Sequence, residues 1–470
     1  MNSLTRVLFS ITLVIVFSCL PLGSVPEVIG NSHPLPHVSP KMEKPEFWIN
    51  KVHNPTFQLL KPEQIQELND ENLRRPDFYL CQVKDLKEEW SREELIELLN
   101  EDWQGFGETS EVRFGRNGNP LKGSFWRELK ENISEDRIKT RNQLSFGLIV
   151  KRADIRVFPT EEPSLSSPAH SEFDRFQHSM ISPGTLVGIY HFSKDLRWLY
   201  LQTPFIRGWV ERDAVAIGIE KKTAIQYEEA KERLVVTGSY VTLFSDSSLQ
   251  KEPLVAQMGA SFPLTRLPQS NGSDGQYYIV KVPYREKEGQ LAFRNGYISK
   301  GEDAHPGFLP YTQANVARQA FKMLHQPYGW GEMARGRDCS RFIMDIFATC
   351  GILMPRNSKF QAQVGINPGP IEGKTSQEKR RVLEQATPFA TTLRLPGHIM
   401  LYLGKDKGRH YVIHSIWGFQ KKGKSGPTLE RVGGVVVSDL SLGGNGPNGS
   451  LLERLTDIRF IGEETDSKKQ

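Results

Sequence analysis

The sequence predicts an α+β chain of several domains: a helical N-terminal region, two small β-barrels, and a final domain that mixes helices with a sheet. The chain has 470 residues, which is too long for a single hydrophobic core. The spacing of apolar residues changes from helical to alternating at about Leu144 and returns to helical after Tyr311. The 40 glycines and 29 prolines are spread along the chain, so many turns between short strands are expected.

The net charge limits the classes of partner. The formal charge is +5 at pH 7, which is small for this length and demands neither nucleic acid nor an acidic membrane surface. A substrate that carries carboxylates is compatible with this balance. No nucleic-acid partner is therefore expected.

Residues 1–25 have the organisation of a secretory signal peptide. One arginine precedes an apolar run over residues 7–22, and small and turn-forming residues follow. The run is shorter than the ~20 residues of a spanning helix, and no other part of the sequence approaches that length. We expect export to the periplasm or cell envelope. The segment "VFSC", which ends at Cys19, leaves a lipoprotein anchored through that cysteine as the alternative, and no other membrane contact is expected.

The remaining cysteines are odd in number. An oxidising compartment tends to pair nearby thiols, but without Cys19 the sequence keeps only Cys81, Cys339 and Cys350. At least one thiol is therefore free. Free cysteines are often no more than small buried apolar residues, so local context must identify a reactive one.

Residues 26–143 are expected to form a linker followed by helices. The linker is rich in proline and histidine ("GNSHPLPHVSPKMEKP"). Two later segments, "KPEQIQELNDENLR" and "SREELIELLNEDW", carry apolar residues at three- and four-residue spacing with acidic first turns. No catalytic constellation is present in this region.

Two sets of short alternating runs follow, and each holds enough strands for a small barrel. Residues 144–217 contain "LSFGLIVKRADIRVFP", "GTLVGIYHF", "RWLYLQT" and "IRGWVERDAVAI". Residues 218–305 contain "RLVVTGSYVTLFSD", "GQYYIVKVPY" and "AFRNGYISKGED". The segments "RGWV" and "NGYI" occupy similar places near the end of each set. We interpret the two sets as tandem SH3-like barrels, which are either binding modules or packing partners.

Residues 306–470 place a cysteine at the start of a helix. After Cys339 in "GRDCSRFIMDIF" the apolar residues fall on one helical face, and Gly351 is suited to end the helix. Asp338 is a good N-cap, which puts Cys339 in the first turn, where the helix dipole favours the thiolate. Cys350 lies at the opposite end of the helix. Cys339 is therefore the candidate nucleophile.

A nucleophilic cysteine needs a base and a group that orients the base. The segment "LPGHIMLYLGKDKGRHYVIHSIWG" has two strand-like runs around a "GKDKG" turn, which is the signature of a β-hairpin. Antiparallel pairing would bring His398 beside His414 and complete a group with Cys339. A lone histidine is more often structural, but three such residues on a helix and two strands favour catalysis.

A zinc site is the competing use of these histidines. His410 and His414 would be about 13 Å apart on one strand at ~3.3 Å per residue, which is too far to share one ion. No second cysteine or carboxylate stands at metal-ligand spacing, and the sequence has neither a dinucleotide fingerprint nor a P-loop. We expect no metal and no organic cofactor.

Three segments, "PYGWGEMARGRDCSRFI", "LPGHIMLYLG" and "YVIHSIWG", resemble the signatures of the NlpC/P60 family of cell-wall cysteine peptidases. The upstream sequence resembles the branch of that family with a helical N-terminal region and two bacterial SH3-like (SH3b) domains. The resemblance covers nearly the whole chain after the signal peptide. It implies a papain-like catalytic domain, in which a helix packs on an antiparallel sheet.

The resemblance also assigns catalytic roles by position. It implies that Cys339 is the nucleophile, His398 the general base and His414 the residue that orients the base. The reaction implied is hydrolysis of the γ-D-glutamyl–diamino acid bond in peptidoglycan stem peptides or muropeptides. No cofactor is implied.

Other positions match or depart from the family pattern. Tyr328, Asp338 and Ser340 match residues that line the substrate cleft. Glu332 stands where many relatives have a second glycine, and Arg341 where many have a glycine after "DCS". Arg341 is expected either to fill space or to meet a carboxylate of the substrate.

In this branch of the family the first SH3-like domain restricts the cleft to stem peptides with a free N-terminal L-alanine. Asp174 and Trp209 are the acidic and aromatic candidates for that role in this sequence. Two alternatives stay open: an amidase that cuts the sugar–peptide link, and a cell-wall-binding protein with an inactive peptidase domain. The intact set of one cysteine and two histidines argues against the second.

Overall fold

The computed structural model describes residues 35–169, 171–265, 276–424 and 426–463. The expected signal peptide and Cys19 lie outside the described residues. Within them, none of the helices combines the length and the apolar character needed to cross a bilayer. The α+β fold class that the sequence predicts is confirmed.

The N-terminal region is helical and packs against two different partners. It comprises four α-helices and one pair of short strands: α1 (Pro45–Ile49), α2 (Pro62–Leu73), β1 (Glu89–Ser91), α3 (Arg92–Phe106), α4 (Gly123–Ile133) and β2 (Arg141–Gln143). Helix α3 begins at a capping box, in which Ser91 and Glu94 each bond the other's backbone amide. Helix α1 packs on the C-terminal domain through the fully buried Trp48, whereas α3 and α4 share a core with the first barrel.

The first β module is one antiparallel sheet of seven strands. In chain order these are β3 (Ser145–Ile149), β4 (Ala153–Arg156), β5 (Gln177–Ile181), β6 (Leu186–Phe192), β7 (Trp198–Gln202), β8 (Arg207–Glu211) and β9 (Val215–Ile219). Their order in the sheet is β5-β4-β8-β7-β6-β3-β9. The apolar residues explain the strands, because each of the seven strands buries apolar side chains in one common core.

The second β module begins with α5 (Lys221–Glu228) and contains seven more strands. They are β10 (Arg233–Val236), β11 (Tyr240–Leu243), β12 (Leu254–Gln257), β13 (Ser261–Pro263), β14 (Tyr277–Arg285), β15 (Leu291–Ser299) and β16 (Ala304–Pro306). Each of the six strand pairings of the first module recurs here, two of them as isolated bridges at Phe244–Tyr297 and Leu264–Val280. Trp209 of "RGWV" and Tyr297 of "NGYI" occupy corresponding strands, as the sequence comparison predicts.

The C-terminal domain packs helices on a five-stranded antiparallel sheet. Its elements are α6 (Gln313–Phe321), α7 (Cys339–Ala348), α8 (Ser358–Gln361), α9 (Ser376–Leu383), β17 (Thr391–Leu395), β18 (His398–Asp406), β19 (Arg409–Gly423), β20 (Gly426–Asp439), α10 (Leu451–Arg454) and β21 (Asp457–Phe460). The sheet order is β20-β19-β18-β17-β21. The predicted hairpin is β18–β19, and Gly351 follows α7 with a φ of 79°.

One apolar core joins the parts of the molecule. It contains Trp48 of the N-terminal region, Ile155 of the first module, Met258 of the second, and Phe342 of α7. The modules therefore pack directly on the helix that carries Cys339, and their side chains reach the site described next.

Candidate active site

Cys339 is the first residue of α7, as predicted. The Asp338 side chain caps the helix, because its Oδ1 accepts the Arg341 backbone N–H at 2.8 Å. The backbone amides of Ser340 and Ile399 lie close enough to the Cys339 sulfur to favour its thiolate form. The thiol thus lies between the start of α7 and the start of β18.

The thiol is more enclosed than the sequence indicates. Cys339 is only 7 % exposed, and this burial raises its pKa to about 12, with the Asp338 carboxylate adding to the effect. The Ile399 and Ser340 amides act in the opposite direction but do not outweigh burial. The helix dipole favours the thiolate at this position, but burial acts against it, so the neutral thiol is the resting form.

His398 and His414 are brought together by the register of the hairpin. Leu401 pairs with Ile413, which makes His398 and His414 diagonal neighbours on one face of the sheet. The distance from His398 Nε2 to His414 Nδ1 is 2.7 Å. The two histidines therefore form the contact that the sequence predicts.

Ser438 extends this pair and was missed at the level of sequence. Its Oγ lies 3.0 Å from His414 Nε2. It lies on β20, where Val436 pairs with His414, and it is fully buried. The one signal in the sequence is a polar residue within the apolar run "GGVVVSDL". Its neighbour on the adjacent strand could not be identified without the register.

Burial keeps both imidazoles neutral. It lowers the pKa of His398 to about 4, with the Arg454 charge adding to the effect, and it lowers the pKa of His414 well below its ordinary value. If His414 donates its Nε2 proton to Ser438, its Nδ1 accepts from His398 Nε2. The other ring nitrogen of His398 is then free to accept a proton.

The three cleft residues implied by the resemblance surround the thiol. Ser340 Oγ donates to Asp338 Oδ1 at 3.0 Å. Tyr328 lies near Asp338 and Cys339; burial raises the pKa of its phenol, and the Asp338 carboxylate adds to the effect. Its hydroxyl is therefore a protonated donor at neutral pH.

Arg356 binds this group from behind and was not singled out in the sequence. Its guanidinium contacts Asp338 Oδ2 at 2.7 Å and Ser340 Oγ at 2.8 Å, and its Nε contacts Ser179 Oγ of the first β module at 2.7 Å. The Asp338 carboxylate is therefore already neutralised by a buried cation before any substrate binds.

Glu332 and Arg341, the two departures from the family pattern, are partners of each other. Arg341 Nη1 lies 3.1 Å from Glu332 Oε2, and its Nε lies 2.6 Å from Asp345 Oδ1. All three side chains are buried. The expectation that Arg341 meets a substrate carboxylate is wrong, because two internal carboxylates already hold it.

The structure also corrects the two residues proposed in the first β module. Trp209 is completely buried in the core of the module, so it cannot contact a substrate. Asp174 is 2 % exposed, and its carboxylate bonds Arg156 at 2.5 Å and accepts the amides of Ser164 and Phe176. No part of that carboxylate is available for an ammonium group.

Phe173, next to Asp174, is an aromatic residue of the first module that reaches the catalytic domain. Its ring centroid lies 5.4 Å from that of Trp417, 5.7 Å from Trp330 and 6.5 Å from Tyr328. Trp330 Nε1 donates a hydrogen bond to the Asp174 carbonyl at 2.9 Å, which links the catalytic domain to the first β module. These rings form an aromatic wall beside Tyr328.

His410 stands apart from the catalytic group. Its Nδ1 lies 2.8 Å from the Tyr402 hydroxyl, and it makes no contact with His398. Among the residues that the structure describes, no group of three or more histidine, cysteine, aspartate or glutamate side chains is arranged to hold a metal ion.

Comparisons with known proteins agree with this geometry. The model of the NlpC/P60 family matches residues 325–417, and the model of an SH3 domain of the SH3b1 type matches residues 163–211. No curated protein matches the chain.

Solved structures give a similar result. An NlpC/P60 endopeptidase from Photobacterium damselae subsp. piscicida is 18% identical, with a TM-score of 0.71, and the match covers 88% of this chain and 96% of that one. An NlpC/P60 family protein from Bacillus cereus is 15% identical, with a TM-score of 0.46, and the match covers 68% of this chain and 100% of that one. The first of these likenesses shows a common fold.

Proposed function

Because this chain carries an NlpC/P60 domain behind an SH3b domain, we propose that it is a peptidoglycan hydrolase. The proposed activity is that of a cysteine endopeptidase that cleaves the γ-D-glutamyl–diamino acid bond of stem peptides. The observation that carries the proposal is the position of the Cys339 thiol at the start of α7, near the backbone amide of Ile399, the residue that follows His398 of the hydrogen-bonded His398–His414 pair. We further propose that the protein is exported to the cell envelope, with a lipid anchor at Cys19 as the alternative.

The proposed reaction is acyl transfer in two steps. His398 takes the thiol proton while the Cys339 sulfur attacks the γ-carbonyl of D-glutamate, which forms a tetrahedral oxyanion. The carbon–nitrogen bond then breaks, and His398 returns the proton to the departing amine of the diamino acid. Water, deprotonated by His398, attacks the thioester and releases the carboxylate and the free thiol.

The proton transfer starts from two neutral groups. A thiol whose pKa is raised to about 12 does not ionise before the substrate arrives. His414 accepts from His398 and can therefore stabilise the imidazolium that forms during attack. The backbone amides at the start of α7 are the candidate oxyanion donors, each typically worth about 3 kcal/mol in other enzymes.

The aromatic wall supports a restriction on substrate size. Phe173 projects from the first β module onto Tyr328, next to Asp338 and Cys339. We propose that this wall closes the end of the cleft, so that a stem peptide with a free N-terminal L-alanine fits and one with a group on that nitrogen does not. Exclusion here is steric, because Asp174 is not available to pair with an ammonium.

The test compares two peptides, L-Ala-γ-D-Glu-diamino acid with its amine free and the same peptide acetylated. We expect release of the diamino acid, detected by mass spectrometry, from the free peptide at a rate at least about tenfold higher. Phe173→Ala should narrow this difference by accelerating cleavage of the acetylated peptide. Cys339→Ser is the inactive control.

Each other outcome has a defined meaning. Equal rates of cleavage of the two peptides would refute the size restriction but not the proposed peptidase activity. Glycan chains released with intact stem peptides would identify an amidase instead. Absence of any cleavage, with binding to cell walls retained, would identify a binding protein with an inactive peptidase domain.

A further inference from the structure

A cavity lies in the C-terminal domain, apart from Cys339, His398 and His414. It has a volume of about 310 Å³, which is at the lower end of the volumes of small-ligand sites. His410 lines it, about 13 Å along β19 from His414 at ~3.3 Å per residue. The other residues that line it come from α9, the β18–β19 turn, the start of β19, the end of β20 with the segment after it, and α10, and are Arg380, Lys407, Gly408, Arg409, Asp439, Leu440, Ser441 and Leu452.

The charge balance of this cavity is positive. Asp439, its one acidic residue, bonds Arg409 Nη1 through Oδ2 at 2.9 Å and accepts the Ser441 hydroxyl through Oδ1 at 2.7 Å. Arg380 and Lys407 are exposed, and neither side chain makes a hydrogen bond or an ion pair with any described residue, although the charge of Arg380 acts on the nearby Glu453 carboxylate. The cavity therefore presents two cations that no described carboxylate pairs with directly.

His410 adds a buried donor without a partner. It is 4 % exposed, its Nδ1 faces the Tyr402 hydroxyl at 2.8 Å, and its Nε2 has no hydrogen bond. The hydroxyl donates to Nδ1, because its alternative acceptor, the Leu383 carbonyl, is at 3.4 Å. The ring proton is then on Nε2.

The nearest acceptor does not satisfy that proton. Glu384 Oε1 is 3.6 Å from His410 Nε2, beyond hydrogen-bond distance, and Glu384 is itself paired with Lys405. A buried N–H without an acceptor carries a desolvation penalty. An incoming oxygen atom would remove it.

We propose that this cavity is a binding site for a phosphate group. A guanidinium on α9 and an ammonium on the hairpin turn line the cavity together with a histidine on β19 whose N–H has no acceptor, and donors from three elements suit the several oxygens of phosphate better than the two of a carboxylate. Three sources supply such a phosphate group: free phosphate, the phosphodiester of a polyanionic polymer, and a lipid headgroup. This proposal does not depend on the proposed peptidase activity.

The experiment measures binding by isothermal titration calorimetry with the full chain after removal of residues 1–25. The probes are inorganic phosphate, poly(glycerol phosphate), and vesicles of phosphatidylglycerol compared with phosphatidylcholine, with acetate as the carboxylate probe. We expect saturable binding of at least one phosphate probe, weakened about tenfold or more in Arg380→Gln/Lys407→Gln. His410→Phe, which keeps the ring but removes the donor, should weaken it as well.

The matched control is Arg381→Gln/Lys424→Gln, which removes two exposed charges of the same domain that do not line the cavity. It should change binding by less than about twofold. Which probe binds identifies the source of the phosphate. The proposal is overturned if no phosphate probe binds saturably, if acetate binds equally well, or if both double variants weaken binding to the same extent.

Discussion

The reactive group at the start of α7 consists of an enclosed thiol and two neutral imidazoles. Burial raises the pKa of Cys339 and lowers those of His398 and His414, so each group at rest is in its uncharged form. A thiolate–imidazolium ion pair in this enclosed site would need to be stabilised. In the proposed reaction that stabilisation arises only when the oxyanion forms on the substrate. The site is therefore suited to proton transfer during attack.

Replacement of the nucleophile should separate chemistry from folding. Cys339→Ser is expected to lower hydrolysis of the free peptide by at least about 10,000-fold, because the hydroxyl is a far weaker nucleophile in this setting. Since Cys339 packs in the core, serine is preferable to alanine. Cys350→Ala should keep full activity and lose about 1 kcal/mol of unfolding free energy through a small cavity. Near-normal turnover by Cys339→Ser would exclude this residue as nucleophile.

The two histidines proposed to act in catalysis should differ in their effects on turnover. His398→Ala is expected to reduce kcat by at least about 1,000-fold, because His398 moves the proton, and His414→Ala by about 100-fold, because His414 only orients and stabilises it. His410→Ala serves as the matched control on the same strand and should stay within about twofold. A loss at His410 equal to that at His398 would mean that the assigned roles are incorrect. Steady-state kinetics on the free peptide measures all three.

The pH profile follows from the buried base. His398 must be neutral to accept the thiol proton, and burial lowers its pKa to about 4. Activity should therefore persist below pH 6.5, where an exposed imidazole is protonated, and decline only as the pH approaches about 4. A profile of kcat/KM against pH tests this expectation. An acid limb centred near pH 6.5 would indicate that His398 is solvated in the working enzyme.

At the scale of elements, the loop before α7 positions the thiol through close backbone contacts. A Cβ on Gly336 would lie 2.5 Å from the backbone nitrogen of Gly329 and 2.6 Å from the carbonyl carbon of Tyr328. Gly336 also precedes Arg337 and Asp338, which lead directly into the helix cap. The glycine is therefore required by a close approach of two backbone segments.

Gly336→Ala should displace this loop and with it the start of α7. We expect a loss of about 1–3 kcal/mol in unfolding free energy, the usual range for overpacking, together with a lower kcat. Gly105→Ala in α3, where a Cβ meets no atom within 4 Å, is the control and should not lower stability or activity. Chemical denaturation and peptide kinetics report the two effects. If the two variants have the same unfolding free energy and the same kcat, the loop accommodates the added methyl group without displacing α7.

At the scale of the whole molecule, one buried polar network joins both β modules to the helix that carries the nucleophile. Glu332 Oε2 accepts from the Ser179 hydroxyl and the Met180 amide of the first module, and its Oε1 accepts from Gln257 of the second. Burial alone would raise the pKa of Glu332, but the charges of Arg341 and Arg356 outweigh it and hold the pKa at about 2. The carboxylate is thus a charged junction of three modules.

Glu332→Gln keeps the shape of this junction and removes its charge. We expect a loss of about 3–5 kcal/mol in unfolding free energy, because Arg341 is left buried with less compensation. Glu332→Gln/Arg341→Gln should recover part of that loss, which a double-mutant cycle would measure. Glu131→Gln, which breaks the exposed pair with Lys194, is the control and should cost less than about 1 kcal/mol. A Glu332→Gln protein as stable as the wild type would contradict the coupling.

The sequence by itself determined the order of modules and the three candidate catalytic residues. The helical period after Asp338 places Cys339 in a first turn, and the alternation in one hairpin places His398 and His414 on one face. These features follow from local backbone geometry, because the direction of a side chain in a helix or strand repeats with a fixed period.

Only the tertiary structure decided what surrounds those residues. The partnership of Arg356 with Asp338, the contact of Ser438 with His414, and the position of Phe173 against Tyr328 all join segments distant in the sequence. Local periodicity determines which way a side chain points, but not which segment packs opposite it. The same packing excludes water from the thiol, and this desolvation, which no local pattern records, sets its protonation state.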